Sequence, residues 1–418
     1  MLQFFSLLLQ RYSHLNWTLA DQIMVSGLNF LSGVLLGRFL GVEGYGQFVL
    51  LYTVLLYVNI FQFALIIAPM MSIAPQASSD VERTNYFQGI FTLQLIFSFI
   101  LSSLVAVLGM GADKWVPSWK VGESILPLAL SILFFQLQDW LRRYYFINGK
   151  GKAVFINDVV SYGGQIILLF LLYRFDKLNI TNAFWAIAVS SAIAFLIGVL
   201  TENIRPVWAS ASQTFKQSWQ FGRNLLLAGQ INWVGSQGIL LFGGSMLGAS
   251  SVGGIRAAQN IVGPLNILFQ AMENIIPIQA AQHYSRKQLT GLTNYLKKVS
   301  LLGGLLLALP CLAIAFLSQN LIELAYGEAY AVFAKLIVLQ LIIAFIAFFR
   351  IQAFYFFRAI AATKEILLNT IIACTLAFGF TIIFVDKLQE TGVILALLLS
   401  EAIALIFLLT RVRNYLKS

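Results

Sequence analysis

The sequence predicts an all-α polytopic membrane protein in which about twelve transmembrane helices form two six-helix lobes. Three observations lead to this fold class: an apolar composition, a series of apolar runs of membrane-spanning length, and an internal repeat between the two halves of the chain. We expect one lobe over residues 1–208 and the other over residues 209–418.

The composition excludes a soluble globular protein. Hydrophobic residues make up 59% of the chain and charged residues 11%, against about 25% charged in soluble domains. The mean hydropathy is +0.82. The net charge of +10 would suggest a nucleic-acid partner in a soluble protein, but here it indicates cytoplasmic loops that face anionic lipid. We therefore expect membrane lipids, and no nucleic acid, among the partners.

The apolar runs predict the individual helices, since a membrane span needs roughly 20 apolar residues. Twelve runs qualify, and they lie near residues 17–39, 46–68, 87–110, 123–145, 154–173, 182–201, 224–247, 253–277, 298–318, 332–355, 366–385 and 391–410. With the N-terminus inside, 18 Lys and Arg fall in the inner segments and 8 in the outer ones. This bias predicts a multi-pass protein with both termini in the cytoplasm.

The two halves repeat at an offset of 208 residues. This offset relates Arg142 to Arg350 and Phe146 to Phe354, and it also joins matches in two other spans. With a four-residue insertion, Asn157 then matches Asn369. Because six spans return the chain to the same side of the membrane, the lobes should be related by a pseudo-two-fold axis along the membrane normal.

Polar residues share helix faces inside three spans, which predicts a water-accessible central cavity. In the first span Gln22 and Asn29 lie on one face, and Asp21 borders it. The eighth span presents a broad polar face, and the fifth carries Asp158. The face of the eighth span includes Arg256, Gln259, Asn260, Gln270 and Glu273. The alternative for the uncharged residues is that they form interhelical hydrogen bonds within the bundle.

Four arginines are candidates for binding an anionic ligand such as a diphosphate, because a guanidinium stays charged and matches phosphate oxygens bidentately. They are Arg142, Arg143, Arg256 and Arg350. Arg142 and Arg143 lie near a predicted cytoplasmic boundary, so a role as membrane anchors is equally open. Arg350 is flanked by apolar residues and matches Arg142 in the repeat.

The intramembrane carboxylates have three open roles. Asp21, Asp139, Asp158 and Glu273 can form structural ion pairs with the arginines, exchange protons or sodium during transport, or contact sugar hydroxyls. Glu401 lies alone in the last span and receives no role.

The sequence lacks the groups of a catalytic or metal centre. Cys311 and Cys374 lie in apolar runs, and no metal-ligand spacing occurs. The only histidines, His14 and His283, lie on the predicted cytoplasmic side, and the predicted outer loops are short. We therefore expect no cofactor, no metal and no enzymatic activity; a polysaccharide polymerase or ligase is the least favoured reading.

Several short motifs resemble those of polysaccharide flippases, which move O-antigen units and other lipid-linked oligosaccharides. The motifs lie at residues 19–22, 26–31, 38–48, 257–265 and 326–330. The resemblance is to the multidrug/oligosaccharidyl-lipid/polysaccharide exporter superfamily, and it extends over the whole chain in length, span number and repeat.

This resemblance implies two lobes around a V-shaped cavity that opens alternately to each side of a bacterial inner membrane. It implies a transporter that carries an undecaprenyl-diphosphate-linked oligosaccharide outward for surface polysaccharide biosynthesis, in company with polysaccharide polymerase machinery. The four arginines would supply the cationic cavity typical of the family. A cation-coupled multidrug antiporter of the same superfamily is the alternative, and Asp21 would suit its coupling.

Overall fold

The computed structural model describes residues 13–111, 122–360 and 362–417, apart from some side chains within the helices. Over these residues the chain is helical and has no β-strand. It divides into two compact units, Met1–Trp233 (unit 1) and Val234–Ser418 (unit 2). The all-α polytopic fold predicted from the sequence is confirmed.

The described part of unit 1 contains eight α-helices, together with two short π-helical segments. These helices are α1 (Ser13–Gln62), α2 (Ala68–Ile73), α3 (Asp80–Gly109), α4 (Ile125–Ile147), α5 (Gly151–Asp158), α6 (Gly164–Arg174), α7 (Ile180–Glu202) and α8 (Trp208–Trp233). The π-helical segments Phe63–Ile67 and Val159–Gly163 follow α1 and α5. Helices α4 and α7 pack along each other, and α3 packs on α4.

Six α-helices occur among the described residues of unit 2. They are α9 (Ile239–Leu247), α10 (Ala249–Val262), α11 (Asn266–Phe316), α12 (Ser318–Tyr326), α13 (Ala334–Ala359) and α14 (Thr363–Tyr415). Helix α13 packs against both α11 and α14, which repeats the packing of α4 against α3 and α7 in unit 1.

Three of the long helices are interrupted by one or two residues with non-helical φ and ψ. Helix α1 breaks at Gly41, whose φ of 71° lies in the left-handed region that glycine adopts without steric cost. Helix α14 breaks at Gln389 with φ 52°, and α11 breaks at Gln288 with φ 52°. Each break falls between two predicted spans, so it performs the role of the expected loop.

Eight helical stretches within the described residues are long and apolar enough to cross a membrane. Two of them, Ala20–Gln76 and Lys364–Tyr415, contain 57 and 52 residues and therefore have room for two spans on either side of their breaks. The chain is thus a multi-pass membrane protein. The count of twelve spans stays a prediction.

Each unit has its own apolar core. In unit 1 the core is aromatic, with Trp140 fully buried between Phe91 and Tyr144. In unit 2, Tyr355, Phe356 and Phe357 of α13 pack with residues of α11 and α14. The compact units divide at Trp233 because α8 packs on α3 within unit 1. The predicted lobe division between residues 208 and 209 was inferred from the repeat and not from packing. It stays a prediction.

We predict that Gly222→Ala destabilises unit 1. A Cβ at Gly222 in α8 would overlap the backbone carbonyl oxygen of Ala64, and a backbone atom cannot turn aside as a side chain does. Overpacking of this kind costs about 1–3 kcal/mol, so the midpoint of heat unfolding in detergent should fall. Gly27→Ala is the control, because nothing lies within 4 Å of its added methyl group. Equal midpoints for the two variants would contradict the prediction.

Candidate functional site

A cluster of three charged side chains lies inside unit 1. Arg142 of α4 is placed between Asp21 of α1 and Asp158 at the end of α5. Its Nη2 lies 2.7 Å from Asp21 Oδ2, and its Nε lies 2.5 Å from Asp158 Oδ2. Both carboxylates are fully buried, and Arg142 is 6% exposed. The cluster therefore holds two carboxyl groups and one guanidinium group away from solvent.

Neighbouring amides hold the cluster in place. Gln138, one turn before Arg142 on α4, donates from Nε2 to Asp158 Oδ1 at 2.7 Å and to Asn157 Oδ1 at 3.0 Å. Asn157 in turn donates to the carbonyl oxygen of Ala194 on α7 at 2.8 Å. Asp21 Oδ1 has no hydrogen-bond partner among the described residues. The cluster thus connects α1, α4, α5 and α7.

The backbone beside the cluster is irregular. Asp158 is the last residue of α5, and the π-helical segment Val159–Gly163 begins directly after it. A π-helical turn adds a residue to the helix and is frequent at functional sites. Here the π-helical segment separates α5, which ends at Asp158, from α6.

Unit 2 carries the second intramembrane arginine. Arg350 of α13 has its Nε 2.7 Å from Glu401 Oε1 of α14, and its Nη1 donates to Asn369 Oδ1 at 3.3 Å. Asn369 donates to the carbonyl oxygen of Ala404 at 2.7 Å. The Arg350 side chain is 19% exposed, against 7% for Arg142. Arg350 is therefore paired with one carboxylate and is more accessible than Arg142.

The two arginines occupy equivalent positions. The guanidinium of Arg142 lies 5.4 Å from the ring centre of Phe146, and that of Arg350 lies 5.2 Å from the ring centre of Phe354. The asparagines matched by the repeat also make equivalent contacts. Asn157 donates to a backbone carbonyl of α7, and Asn369 donates to one of α14. The equivalence of the arginines predicted from the repeat is thus visible in their contacts.

The carboxylates break the repeat. The offsets that align the arginines and asparagines place Gly229 at the position of Asp21 and Thr370 at that of Asp158. Unit 2 supplies its carboxylate from Glu401 instead. The first half consequently places two carboxyl groups around its arginine, whereas the second half places one.

The other predicted site residues lie apart from these two clusters. Arg143 Nε lies 3.4 Å from Asp139 Oδ1, one turn earlier on α4, and both side chains are partly exposed. Arg256 on α10 donates to Gln259 at 3.3 Å. Gln22 and Asn29 lie on an exposed face of α1. The side chains of Gln270 and Glu273 lie outside the described set.

Sequence reasoning missed Glu401 as the partner of Arg350 and Gln138 as the partner of Asp158. A signal for Glu401 was present, because it is the only charged residue in the run 391–410 and an intramembrane charge needs a partner of opposite sign. Gln138 gave no comparable signal, since its spacing to Arg142 is that of any two residues one turn apart.

Comparison with known proteins agrees with this architecture. A family model described as "Polysaccharide biosynthesis protein" matches residues 35–335. The chain is 23% identical over 405 residues to the uncharacterized membrane protein EpsK of Bacillus subtilis (strain 168). The match covers 90% of this chain and 79% of EpsK.

Solved structures share the fold. A multidrug resistance MATE family transporter of the MOP superfamily, in its inward-facing conformation, superposes with a TM-score of 0.74 at 13% identity, covering 94% of this chain and 95% of the other. The lipid II flippase MurJ, in an inward closed conformation, superposes with a TM-score of 0.71 at 14% identity, covering 94% and 87%. At these identities the likeness establishes the two-lobe fold.

Proposed function

The chain belongs to the polysaccharide biosynthesis protein family, and we propose that it is a flippase for a polyprenyl-diphosphate-linked oligosaccharide. It would move this lipid from the inner to the outer leaflet of a bacterial inner membrane by alternating access of its two lobes, residues 1–208 and 209–418. Both termini would lie in the cytoplasm. The protein would act as a transporter rather than an enzyme and would deliver its glycan to polysaccharide polymerase machinery.

The observation that carries this proposal is the repeated intramembrane arginine. Arg142 and Arg350 lie in spanning helices, and each contacts the ring of the Phe four residues on. A guanidinium at membrane depth is costly and marks a functional site by default. Its fork geometry matches the oxygens of phosphate as well as those of a carboxylate. A diphosphate that must leave the headgroup region would need such groups.

The four arginines would then have different roles. Arg350, Arg143 and Arg256 keep part of their side chains accessible, so they would contact the diphosphate directly. Arg142 already donates to two carboxylates and can contact a phosphate only after one of them is neutralised. We propose that uptake of a proton or a sodium ion at Asp21 or Asp158 releases Arg142 and so couples transport to an ion gradient.

The remaining polar residues would contact the glycan. Gln22 and Asn29 on the exposed face of α1 offer amides that can donate to and accept from sugar hydroxyls. Asp139 would hold Arg143 in its orientation through their ion pair. Gln270 and Glu273, on the polar face of the eighth predicted span, would extend this surface.

A cation-coupled multidrug antiporter is the second candidate. The buried pair Asp21 and Asp158 favours it, because two carboxyl groups beside a single arginine suit the binding of a cation. The accessible arginines oppose it, since they would repel a cationic drug. Both functions use the same fold, so only a transport measurement separates them.

We expect the purified protein in proteoliposomes to move a fluorescent polyprenyl-diphosphate oligosaccharide between leaflets, and to leave a cationic dye untransported. The lipid should become accessible to a membrane-impermeant quencher in the outer leaflet at a rate above that of protein-free vesicles. Dye uptake driven by a proton gradient, with no movement of the lipid, would establish the antiporter instead.

A further inference from the structure

Unit 2 contains a cavity of about 620 Å³ between α11, α13 and α14. We call it the unit 2 groove. Its walls are mainly apolar side chains, among them Leu301 and Leu305 of α11, Phe349 of α13 and Leu409 of α14. Gly304 leaves space on the α11 wall, because an added Cβ there would lie 3.1 Å from the Phe349 ring.

A buried polar group lines this apolar groove. Gln352 of α13 is 4% exposed, and neither its Nε2 nor its Oε1 has a hydrogen-bond partner among the described residues. A buried amide normally finds partners for its donor and its acceptor. The groove therefore holds an unused hydrogen-bonding group on a wall built for an apolar ligand.

One of the residues that line the groove, Lys297, is cationic and lies toward one end. Helices α11 and α13 are antiparallel here, since Leu292 and Leu296 pack near Phe356 while Gly304 packs on Phe349. Lys297, which lines the groove, consequently lies about one helical turn closer to this end than Gln352 does.

The last turns of α14 reach the same end of the groove. Val412 and Leu416 line it, and their sequence neighbours are Arg411, Arg413 and Lys417. Arg411 is paired with Glu365 at 2.9 Å. Arg413 and Lys417 thus adjoin groove-lining residues in the sequence, and Lys297 is the cationic side chain that lines the groove itself.

Unit 1 fills the corresponding space with aromatic rings. The repeat places Tyr144 at the position of Gln352 and Tyr145 at that of Ala353. Tyr144 lies with its ring centre 4.9 Å from Phe87 and 5.6 Å from Trp140. The packing of these helices thus does not require a groove. Unit 2 has a groove because Gln352 and Ala353 are smaller than the two tyrosines at the matching positions of unit 1.

We propose that the unit 2 groove binds one phospholipid of net negative charge. Its phosphate would contact Lys297, the carbonyl of an acyl ester would accept from the Gln352 amide, and the acyl chain would lie along Leu301 and Leu305. The order of groups along the groove, cation, amide and then apolar wall, is the order of groups in a phospholipid. A polyprenyl diphosphate has no ester carbonyl for Gln352. The inference is independent of the proposed function.

The test compares two adjacent lysines. Full-length protein purified in detergent is titrated with phosphatidylglycerol, phosphatidylcholine or a polyprenyl phosphate, and bound lipid is counted by native mass spectrometry. Lys297→Gln should weaken phosphatidylglycerol binding about five- to tenfold. Lys298→Gln removes the same charge from an exposed residue that does not line the groove, so it should change the affinity less than twofold.

A second variant tests the cavity itself. Ala353→Tyr copies the unit 1 residue and should fill the groove, abolishing phosphatidylglycerol binding while the circular dichroism spectrum of the protein stays unchanged. Gln352→Leu should weaken binding of the diacyl lipids and leave that of the polyprenyl phosphate unaltered. Equal affinities of the Lys297 and Lys298 variants for phosphatidylglycerol would overturn the proposal. It would also be overturned if the protein bound polyprenyl phosphate more tightly than phosphatidylglycerol and lost that binding in Ala353→Tyr.

Discussion

Arg142→Gln should destabilise unit 1 more than any other single change in its polar cluster. The substitution leaves Asp21 and Asp158 fully buried without a counter-charge. Breaking a buried ion pair by removing one partner costs about 3–5 kcal/mol. In a unit of this size that loss corresponds to a fall of roughly 6–20 °C in the midpoint of heat unfolding. The measurement is the unfolding midpoint of the purified protein in detergent.

Two comparisons isolate the cause. Arg143→Gln changes the next residue, which is partly exposed and pairs with Asp139 within one helix, so it should leave the midpoint nearly unchanged. A triple variant that also replaces Asp21 and Asp158 with asparagine should recover much of the lost stability, because no buried charge remains. A midpoint for Arg142→Gln equal to that of Arg143→Gln would show that the cluster does not stabilise the unit.

The sequence was sufficient to predict the all-α polytopic fold and the matching arginines, because these depend on local composition and on matching residues. It did not show that two spans could join at Gly41 or Gln389 without a loop. These junctions depend on a single residue with positive φ, and glutamine carries no signal for that conformation. Apolar runs therefore located the spans better than their connections.

The pairing of side chains between helices could not be predicted from the sequence. Asp21 borders the polar face of the first span, but successive residues differ by about 100° around a helix. In the structure Asp21 faces inward to Arg142, whereas Gln22 and Asn29 lie on the exposed side. Which side is buried depends on how α1 packs against α4, and periodicity within one helix does not contain that information. Glu401 was left without a role for the same reason, since its partner Arg350 lies on another helix.

Arg350→Gln should abolish most lipid transport while the protein remains folded. Loss of a charge-assisted hydrogen bond to a phosphate is worth about 1.5–3 kcal/mol, which corresponds to a rate about 10–100-fold lower. Arg350→Lys should retain part of the activity, because an ammonium keeps the charge but loses the bidentate fork. The measurement is the rate at which a labelled polyprenyl-diphosphate oligosaccharide reaches the outer leaflet of proteoliposomes.

The same helix offers the matched control. Arg358→Gln removes an exposed arginine from the last turn of α13, so transport should stay close to the wild-type rate. Arg350→Gln leaves Glu401 without its partner, and for this reason the double variant with Glu401→Gln is measured beside it. If the double variant is folded and still inactive, the loss belongs to the guanidinium and not to an unpaired carboxylate. Transport by Arg350→Gln at the wild-type rate would remove this arginine from the diphosphate site and leave the flippase assignment to be carried by the family alone.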